Sequence, residues 1–365
     1  MSTAAEGNAI VYCQGAYNTP NGKTAHGVVR FTQRYRVLSV IDARYAGQDA
    51  GQVIDGRPRG IPIYADVGQA VAAAREAGQA ATHFVVGLAP DGGRLSPGAR
   101  ADVREAIRLG LNVDCGLHDY LSEDQEMAAL AAQHGVSIRD VRKPPPPSQL
   151  HFFSGKIEQV TALKVAILGT DSAIGKRTTA WILLDALHQG GHSAEMVGTG
   201  QTAWMQGVRH GIILDSLIND FLTGEIEHAV WTAWNEARPD VILIEGQGGL
   251  LNPAYPGGYE ILAAARPDLI VLQHAPARKE YDGFPGYAIQ PLNHQIKALE
   301  MISGKPVVAI TINHESLSHD QIANVCAQIE RETGLPAFDV LLSGGDGLVQ
   351  TLRPFLEKKV PGFRR

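Results

Sequence analysis

Cysteine is scarce in this chain of 365 residues, and the three that occur, Cys13, Cys115 and Cys326, show no CxxC or Cys/His spacing. This scarcity excludes a small disulfide-stabilised scaffold and gives no sign of a zinc site. We therefore expect reduced thiols in a cytoplasmic protein, because the cytosol keeps cysteines from pairing.

An excess of basic charge and long apolar runs are also missing. With 32 Lys and Arg against 38 Asp and Glu, the net charge is −6, which excludes a broad cationic surface for nucleic-acid backbones. The N-terminus MSTAAEGNAI lacks the features of a signal peptide, and no run reaches the about 18 apolar residues of a membrane span. We expect small-molecule substrates, no nucleic-acid or membrane partner, and a homo-oligomer.

Short β-branched runs alternate with Ala-rich stretches of helical period, which is typical of α/β proteins with parallel sheets. The run KPPPPS at 143–148 forbids helix and sheet pairing, so it indicates a connector. We predict two doubly wound parallel-sheet domains, a Rossmann-like domain over 1–142 and a second domain over 151–365, joined by the proline-rich linker 143–150. The chain length allows two such domains.

The first half has five predicted strands but no dinucleotide fingerprint. The loop after its first strand reads CQGAYNTPNGKTAHG and lacks GxGxxG, so dinucleotide binding is not predicted. A helix is predicted over 123–133, with Ser122 as its N-cap. The second half has six predicted strands in the same alternation with helices.

A glycine-rich loop in the second half is typical of a phosphate-binding P-loop, which makes this domain P-loop NTPase-like. The buried run 165–168 leads into GTDSAIGKRTTA and then into an apolar-periodic helix. Backbone N–H groups, the helix dipole and a lysine can together hold an anion there. The residues predicted to bind the cofactor are Gly169, Thr170, Asp171, Ser172, Ala173, Ile174, Gly175, Lys176, Arg177 and Thr178.

Two departures from the Walker A pattern put Mg²⁺-dependent phosphoryl transfer in doubt. Gly169 lies six residues before Gly175 instead of five, and Arg177 stands where Ser or Thr would bind Mg²⁺. Thr178 and Thr179 lie further round the helix. The loop suits a diphosphate or a 3′-phosphate that is held and not cleaved.

A second motif, EGQGGLLNPAYP, follows the strand 241–245 and brings Glu245 to the same sheet edge. The order GTD-x3-GK and then EGQGG resembles dethiobiotin synthetases, which use Mg-ATP. A wider motif set, with MVGTGQT, DSLINDF and QHAPARKEYDGFP, resembles the DgcN-like D-glutamate N-acetyltransferases, a family formerly known as a domain of unknown function. That resemblance implies acetyl-CoA as donor and D-glutamate as acceptor, in D-amino-acid metabolism, with a Rossmann-like and a P-loop half.

Acetyl transfer to an amine needs a base, since the ammonium must lose a proton before it attacks the thioester. Glu245 is the first choice because of its strand-end position, and the other candidates are His274, Asp171, Asp215 and Asp282. Two cations, Arg278 and Lys279, are predicted to meet the acceptor's carboxylates. The full substrate-binding set is Thr199, Gln201, Thr202, Gln247, Arg278 and Lys279.

The residues leave two other functions open. One is an Mg-ATP-dependent kinase or ligase of the dethiobiotin synthetase type, which the loop order favours and Arg177 opposes. The other is a nucleotide-sensing regulatory protein without catalysis. No cysteine stands in a recognisable catalytic setting, so we expect direct acetyl transfer without an acetyl-cysteine.

Overall fold

The computed structural model describes residues 5–359, apart from the side chain of Asp91. Their contacts form two units: residues 5–144 with Gln201–Val208, and Pro145–Gly200 with residues 209–359. The predicted linear division differs by Gln201–Val208, because Met205 is buried in the first unit's core and Gln206 donates to the carbonyl of Gly27 at 2.8 Å. Residues 1–4 and 360–365, which the predicted domain limits include, lie outside the described residues.

Six strands form the sheet of the first unit: β1 (Gly7–Tyr12), β2 (Tyr35–Ile41), β3 (Ile63–Tyr64), β4 (His83–Val86), β5 (Asn112–Cys115) and β6 (Ile138–Asp140). All pairings are parallel, in the order β3-β2-β1-β4-β5-β6, which is the strand order of Rossmann folds. Alternate residues of β1 enter two cores, because Ile10 packs with Phe84 on one face and Val11 packs with Val40 on the other.

Five helices connect these strands: α1 (Lys23–Arg30), α2 (Ala50–Asp55), α3 (Val67–Glu76), α4 (Pro97–Arg108) and α5 (Gln125–His134). The predicted N-cap Ser122 is wrong. The helix begins later, at the point where the Asp124 carboxylate accepts the N–H of Met127, and Ser122 lies in a preceding 3₁₀ turn.

Seven strands form the second sheet: β7 (Leu163–Gly169), β8 (Ala194–Gly198), β9 (His210–Gly211), β10 (Val241–Glu245), β11 (Leu269–His274), β12 (Val307–Ile312) and β13 (Ala337–Phe338). All pairings are parallel, in the order β13-β12-β11-β7-β10-β8-β9. β7 is buried along its whole length, as expected of a central parallel strand. The predicted α/β class with two parallel sheets is confirmed.

The remaining helices are α6 (Lys176–Gln189), α7 (Gln201–Met205), α8 (Asn219–Ala237), α9 (Tyr259–Ala264), α10 (Leu292–Ser303), α11 (His319–Thr333), α12 (Val340–Ser343) and α13 (Asp346–Lys359). Of these, α7 belongs to the first unit. In the second unit α6 and α13 cover one face of the sheet, and α8, α9 and α10 cover the other. None of the helices within residues 5–359 has the length and apolar character needed to cross a membrane.

Candidate functional site

The loop between β7 and α6 lies where the carboxyl ends of β10 and β11 flank that of β7. Ala173 and Gly175 have positive φ angles of 53° and 101°, a left-handed conformation that turns neighbouring N–H groups to one side. Across residues 5–359, no protein acceptor takes the N–H groups of residues 173–175. Together with the start of α6, these groups form a concave surface suited to an anion.

The ammonium group of Lys176 lies against this loop. The side chain is buried, and its Nζ donates to the carbonyls of Asp171 and Gly248, both at 2.7 Å. A Cβ at Gly169 would lie 2.8 Å from Lys176 Cδ, so a larger residue there would displace the lysine side chain. The ammonium is therefore fixed in place before any ligand arrives.

Asp171 connects three segments of the second unit. Its carboxylate is fully buried and accepts from Ser172 N at 2.7 Å, Asn252 Nδ2 at 2.7 Å, Arg278 NH1 at 2.7 Å and Asp282 N at 2.9 Å. These donors come from the phosphate loop, the loop after β10 and the loop after β11. The contacts favour a positioning role for Asp171 over its predicted role as a base.

Arg278 is engaged by two carboxylates. Besides Asp171, it makes two hydrogen bonds to Glu315, at 2.7 and 2.9 Å. Burial opposes the charge, but the hydrogen bonds to Glu315 and Asp171 outweigh it and raise the pKa of Arg278. The predicted contact with an acceptor carboxylate would have to compete with these bonds, whereas the neighbouring Lys279 is exposed.

Glu245 and Arg177 face each other beside the loop. One Glu245 oxygen accepts the N–H of Thr199 at 2.9 Å, and the other lies 3.8 Å from Arg177 NH1. Burial raises the pKa of the Glu245 carboxyl, against the opposing effect of Arg177. Gln247 donates through Nε2 to Thr199 O at 2.8 Å, which links the ends of β10 and β8.

The other predicted bases differ in their surroundings. His274 Nδ1 pairs with Thr170 Oγ1 at 3.0 Å, and burial together with the charge of Lys279 lowers the pKa of His274 to about 4. Asp282 accepts from Ser172 Oγ at 3.0 Å, next to the phosphate loop. Asp215 is exposed in a turn after β9, at the edge of the sheet, with β10 and β8 between its strand and β7.

The predicted substrate residues of GTGQT are divided between the two units. Thr199 belongs to the second unit, whereas Gln201 and Thr202 belong to the first. There the Thr202 hydroxyl is 2.9 Å from that of Thr24, and Gln201 packs against Gly116. The motif therefore does not form one cluster within either unit.

Sequence reasoning missed three residues that shape the site, namely Asn252, Glu315 and Gln273. The first two bind Asp171 and Arg278, as described above. Gln273 Oε1 accepts from Thr179 Oγ1 at 2.6 Å and Thr311 Oγ1 at 2.5 Å, which directs its Nε2 toward Gly175. Only Gln273 carried a usable signal, as a polar residue near the end of an apolar strand beside the loop.

Known proteins match both halves of the chain. Residues 151–349 match the P-loop domain of DUF1611, and residues 43–144 match its Rossmann-like domain, both described as domains of unknown function. A D-glutamate N-acetyltransferase from Pseudoalteromonas sp is 30% identical over 280 residues, covering 74% of this chain and 80% of the relative. One from Tritonibacter scottomollicae is 29% identical over 275 residues, with the same coverage of 74% and 80%.

A solved structure is also similar. The crystal structure of a DUF1611 family protein from Anabaena variabilis gives a TM-score of 0.87 at 29% identity, over 95% of this chain and 99% of that protein. The likeness therefore extends over both units.

Proposed function

Because the chain belongs to the DUF1611 family, we propose that it is an N-acetyltransferase that moves the acetyl group of acetyl-CoA to the amine of D-glutamate or a similar acidic amino acid. The two relatives named D-glutamate N-acetyltransferase support both the reaction and the acceptor. The product would be N-acetyl-D-glutamate, in D-amino-acid metabolism.

The observation that carries the choice of acetyl-CoA is the pairing of Arg177 with Glu245. In Mg-ATP enzymes with a P-loop, a hydroxyl after the lysine and a strand-end acid hold the metal. Here a guanidinium 3.8 Å from Glu245 supplies fixed positive charge at the hydroxyl's position. A loop with Lys176 and Arg177 can hold the diphosphate of CoA without Mg²⁺.

Glu245 is the base of the proposed reaction. It takes a proton from the acceptor's ammonium, the amine nitrogen bonds to the thioester carbon, and the C–S bond breaks. CoA leaves as a thiolate and takes the second proton from the acylated nitrogen, and the proton held by Glu245 passes to water, which restores the carboxylate. Burial makes Glu245 more basic than an ordinary carboxylate, whereas His274, with a pKa of about 4, is a weak proton acceptor.

The cysteines support direct transfer in a ternary complex. Cys13 and Cys115 are fully buried. Burial raises the pKa of both thiols, that of Cys115 to about 12. Cys326 is half-buried, with a pKa raised by burial and by Asp339. None of the three therefore supplies a thiolate nucleophile near neutral pH.

One assay tests the proposal: release of free thiol from acetyl-CoA with a panel of D- and L-amino acids, with and without Mg²⁺. We expect turnover with D-glutamate that does not depend on Mg²⁺. Mg²⁺-dependent formation of ADP from ATP would instead establish the kinase or ligase. Tight nucleotide binding without any turnover would establish the regulatory protein.

The role of Glu245 is tested by the variant Glu245→Gln, which should lower kcat by about 100-fold or more. In the wild type, kcat/KM should rise with pH as Glu245 loses its proton, at a pH above the ordinary carboxyl value of 4.5. The variant should lack this rise. Glu195→Gln is the control, since Glu195 in β8 also has a pKa raised by burial, and it should change neither quantity.

A further inference from the structure

Asp171 accepts hydrogen bonds from two loops that lie next to the phosphate loop, and both loops carry exposed aromatic side chains. Asn252 donates to Asp171, and its Oδ1 accepts the N–H of Tyr255 at 2.9 Å, which fixes the loop after β10. Asp282 N also donates to Asp171, and the turn that follows is closed by Tyr281 N donating to Tyr287 O at 2.9 Å. Both aromatic segments are thus held to one buried carboxylate.

The rings of Tyr255, Phe284 and Tyr287 form what we term the aromatic cluster. The Tyr255 and Phe284 centroids are 6.2 Å apart at 72°, and those of Phe284 and Tyr287 are 6.5 Å apart at 86°. Tyr255 and Tyr287 are 51% and 58% exposed, so much of their ring surface faces water. Adjacent exposed rings of this kind can bind a flat aromatic group by stacking.

The aromatic cluster lies beside the anion-binding loop. Gly249, whose N–H donates to Tyr255 O at 3.1 Å, packs so closely that a Cβ there would be 2.8 Å from the Thr170 backbone. On the other loop, Asp282 binds Ser172 at 3.0 Å, two residues before Phe284. One small ligand can therefore stack its base on the aromatic cluster while its phosphate binds the loop.

The two sides of the anion-binding loop differ in chemistry. Phe284 and Tyr287 follow β11 on one side of β7, and Tyr255 reaches Phe284 from the loop after β10. Glu245 ends β10 and its partner Thr199 follows β8, on the other side of β7. CoA likewise has a diphosphate at its middle, with an adenosine at one end and a thioester arm at the other. The arrangement of side chains matches the order of these three parts.

We propose that the aromatic cluster stacks on the adenine ring of CoA while the phosphate loop holds the diphosphate and the thioester arm leads to Glu245. This inference rests on the proposed use of acetyl-CoA. It adds a nucleobase subsite formed by Tyr255, Phe284 and Tyr287, and it predicts that affinity depends on the adenine ring.

Calorimetric titration of the full chain with three ligands tests the subsite: CoA, adenosine 3′,5′-bisphosphate and 4′-phosphopantetheine. Phe284→Leu and Tyr255→Ala should each weaken CoA and the bisphosphate by about 10-fold or more. Neither should change the affinity for phosphopantetheine, which lacks adenine. Fluorescence of 1,N6-etheno-CoA should be quenched by the wild type and less so by the variants, because quenching requires stacking of the modified base.

Tyr259→Ala is the matched control, because Tyr259 is an exposed aromatic residue of α9 outside the aromatic cluster, and it should leave all three affinities unchanged. Equal weakening of CoA and phosphopantetheine, or no weakening, would overturn the subsite while CoA binding by the wild type still supports the proposed function. If the wild type bound no CoA, both proposals would fail. Phe284→Leu keeps an apolar side chain in the loop, so it tests the ring separately from the fold.

Discussion

The carboxyl edges of the two sheets have the same architecture, but the loops at these edges differ in what they leave accessible. In each unit a buried strand, β1 or β7, leads through a loop into a helix that begins at Gly-Lys, with Lys23 in α1 and Lys176 in α6. In the first unit the loop folds inward, because the Tyr17 ring is fully buried and its hydroxyl donates to Ala50 O at 2.9 Å. In the second unit the N–H groups of residues 173–175 have no protein acceptor within residues 5–359.

A buried aspartate accompanies each loop and shows the difference most clearly. Asp42 follows β2, where an acid binds the ribose in dinucleotide-binding Rossmann folds. Its oxygens are taken by Tyr17 N at 2.9 Å and by the Arg44 side chain at 2.8 and 3.1 Å. Asp171 uses its oxygens to hold neighbouring loops around the phosphate loop. One architecture thus gives a closed edge in the first unit and, under the proposed function, a binding edge in the second, depending on the loop side chains.

The two aspartates provide the largest expected effect. Asp171→Ala should lower the free energy of unfolding by about 3–5 kcal/mol, since it leaves the partly buried Arg278 without one of its carboxylates. Asp42→Ala should cost only about 2 kcal/mol, because Arg44 is 43% exposed against 14% for Arg278 and can turn to water. Urea unfolding followed by circular dichroism measures both.

Acetyl transfer by the same variants, assayed below their unfolding midpoints, sharpens the comparison. Asp171→Ala should abolish turnover, whereas Asp42→Ala should retain it. Equal losses of stability, or a loss of turnover in Asp42→Ala alone, would contradict the assignment of the binding edge to the second sheet.

The two lysines give the next effect. Lys176→Ala should weaken CoA binding by about 100-fold, because a buried ammonium that meets a phosphate makes strong charge-assisted hydrogen bonds. Lys23→Ala removes an exposed lysine at the matching helix start and should leave the affinity unchanged. Calorimetric titration with CoA measures the affinity of both variants. Unchanged affinity in Lys176→Ala would end the proposal that this loop binds CoA.

The elements around the phosphate loop could be predicted from the sequence more fully than the residues that connect its neighbouring loops. The strand, loop and helix around Lys176 are adjacent in the chain and have strong periodicity, and Glu245 ends a buried strand, so both could be read locally. Asn252 and Glu315 could not, because their bonds to Asp171 and Arg278 span 81 and 37 residues. The two-residue strand β3 is too short to show a period, and α7 joins the first unit through tertiary contacts alone.

Acidification provides the smallest expected effect. It should lower the stability contributed by His274 in the second unit before that contributed by Asp42 in the first. The pKa of His274 is about 4 in the folded chain against 6.5 for an unperturbed histidine, so the unfolded chain binds the extra proton as pH falls through this window. Stability should therefore drop by about 2 kcal/mol between pH 7 and pH 5. Burial opposes the charge of Asp42, but its hydrogen bonds to Arg44 and to Tyr17 N outweigh burial and lower its pKa below 3.8, so its contribution persists at pH 5. His274→Asn should remove most of the drop in urea unfolding, and His134→Asn, at the exposed end of α5, should not. A drop of the same size in His274→Asn would show that another group makes the second unit acid-sensitive.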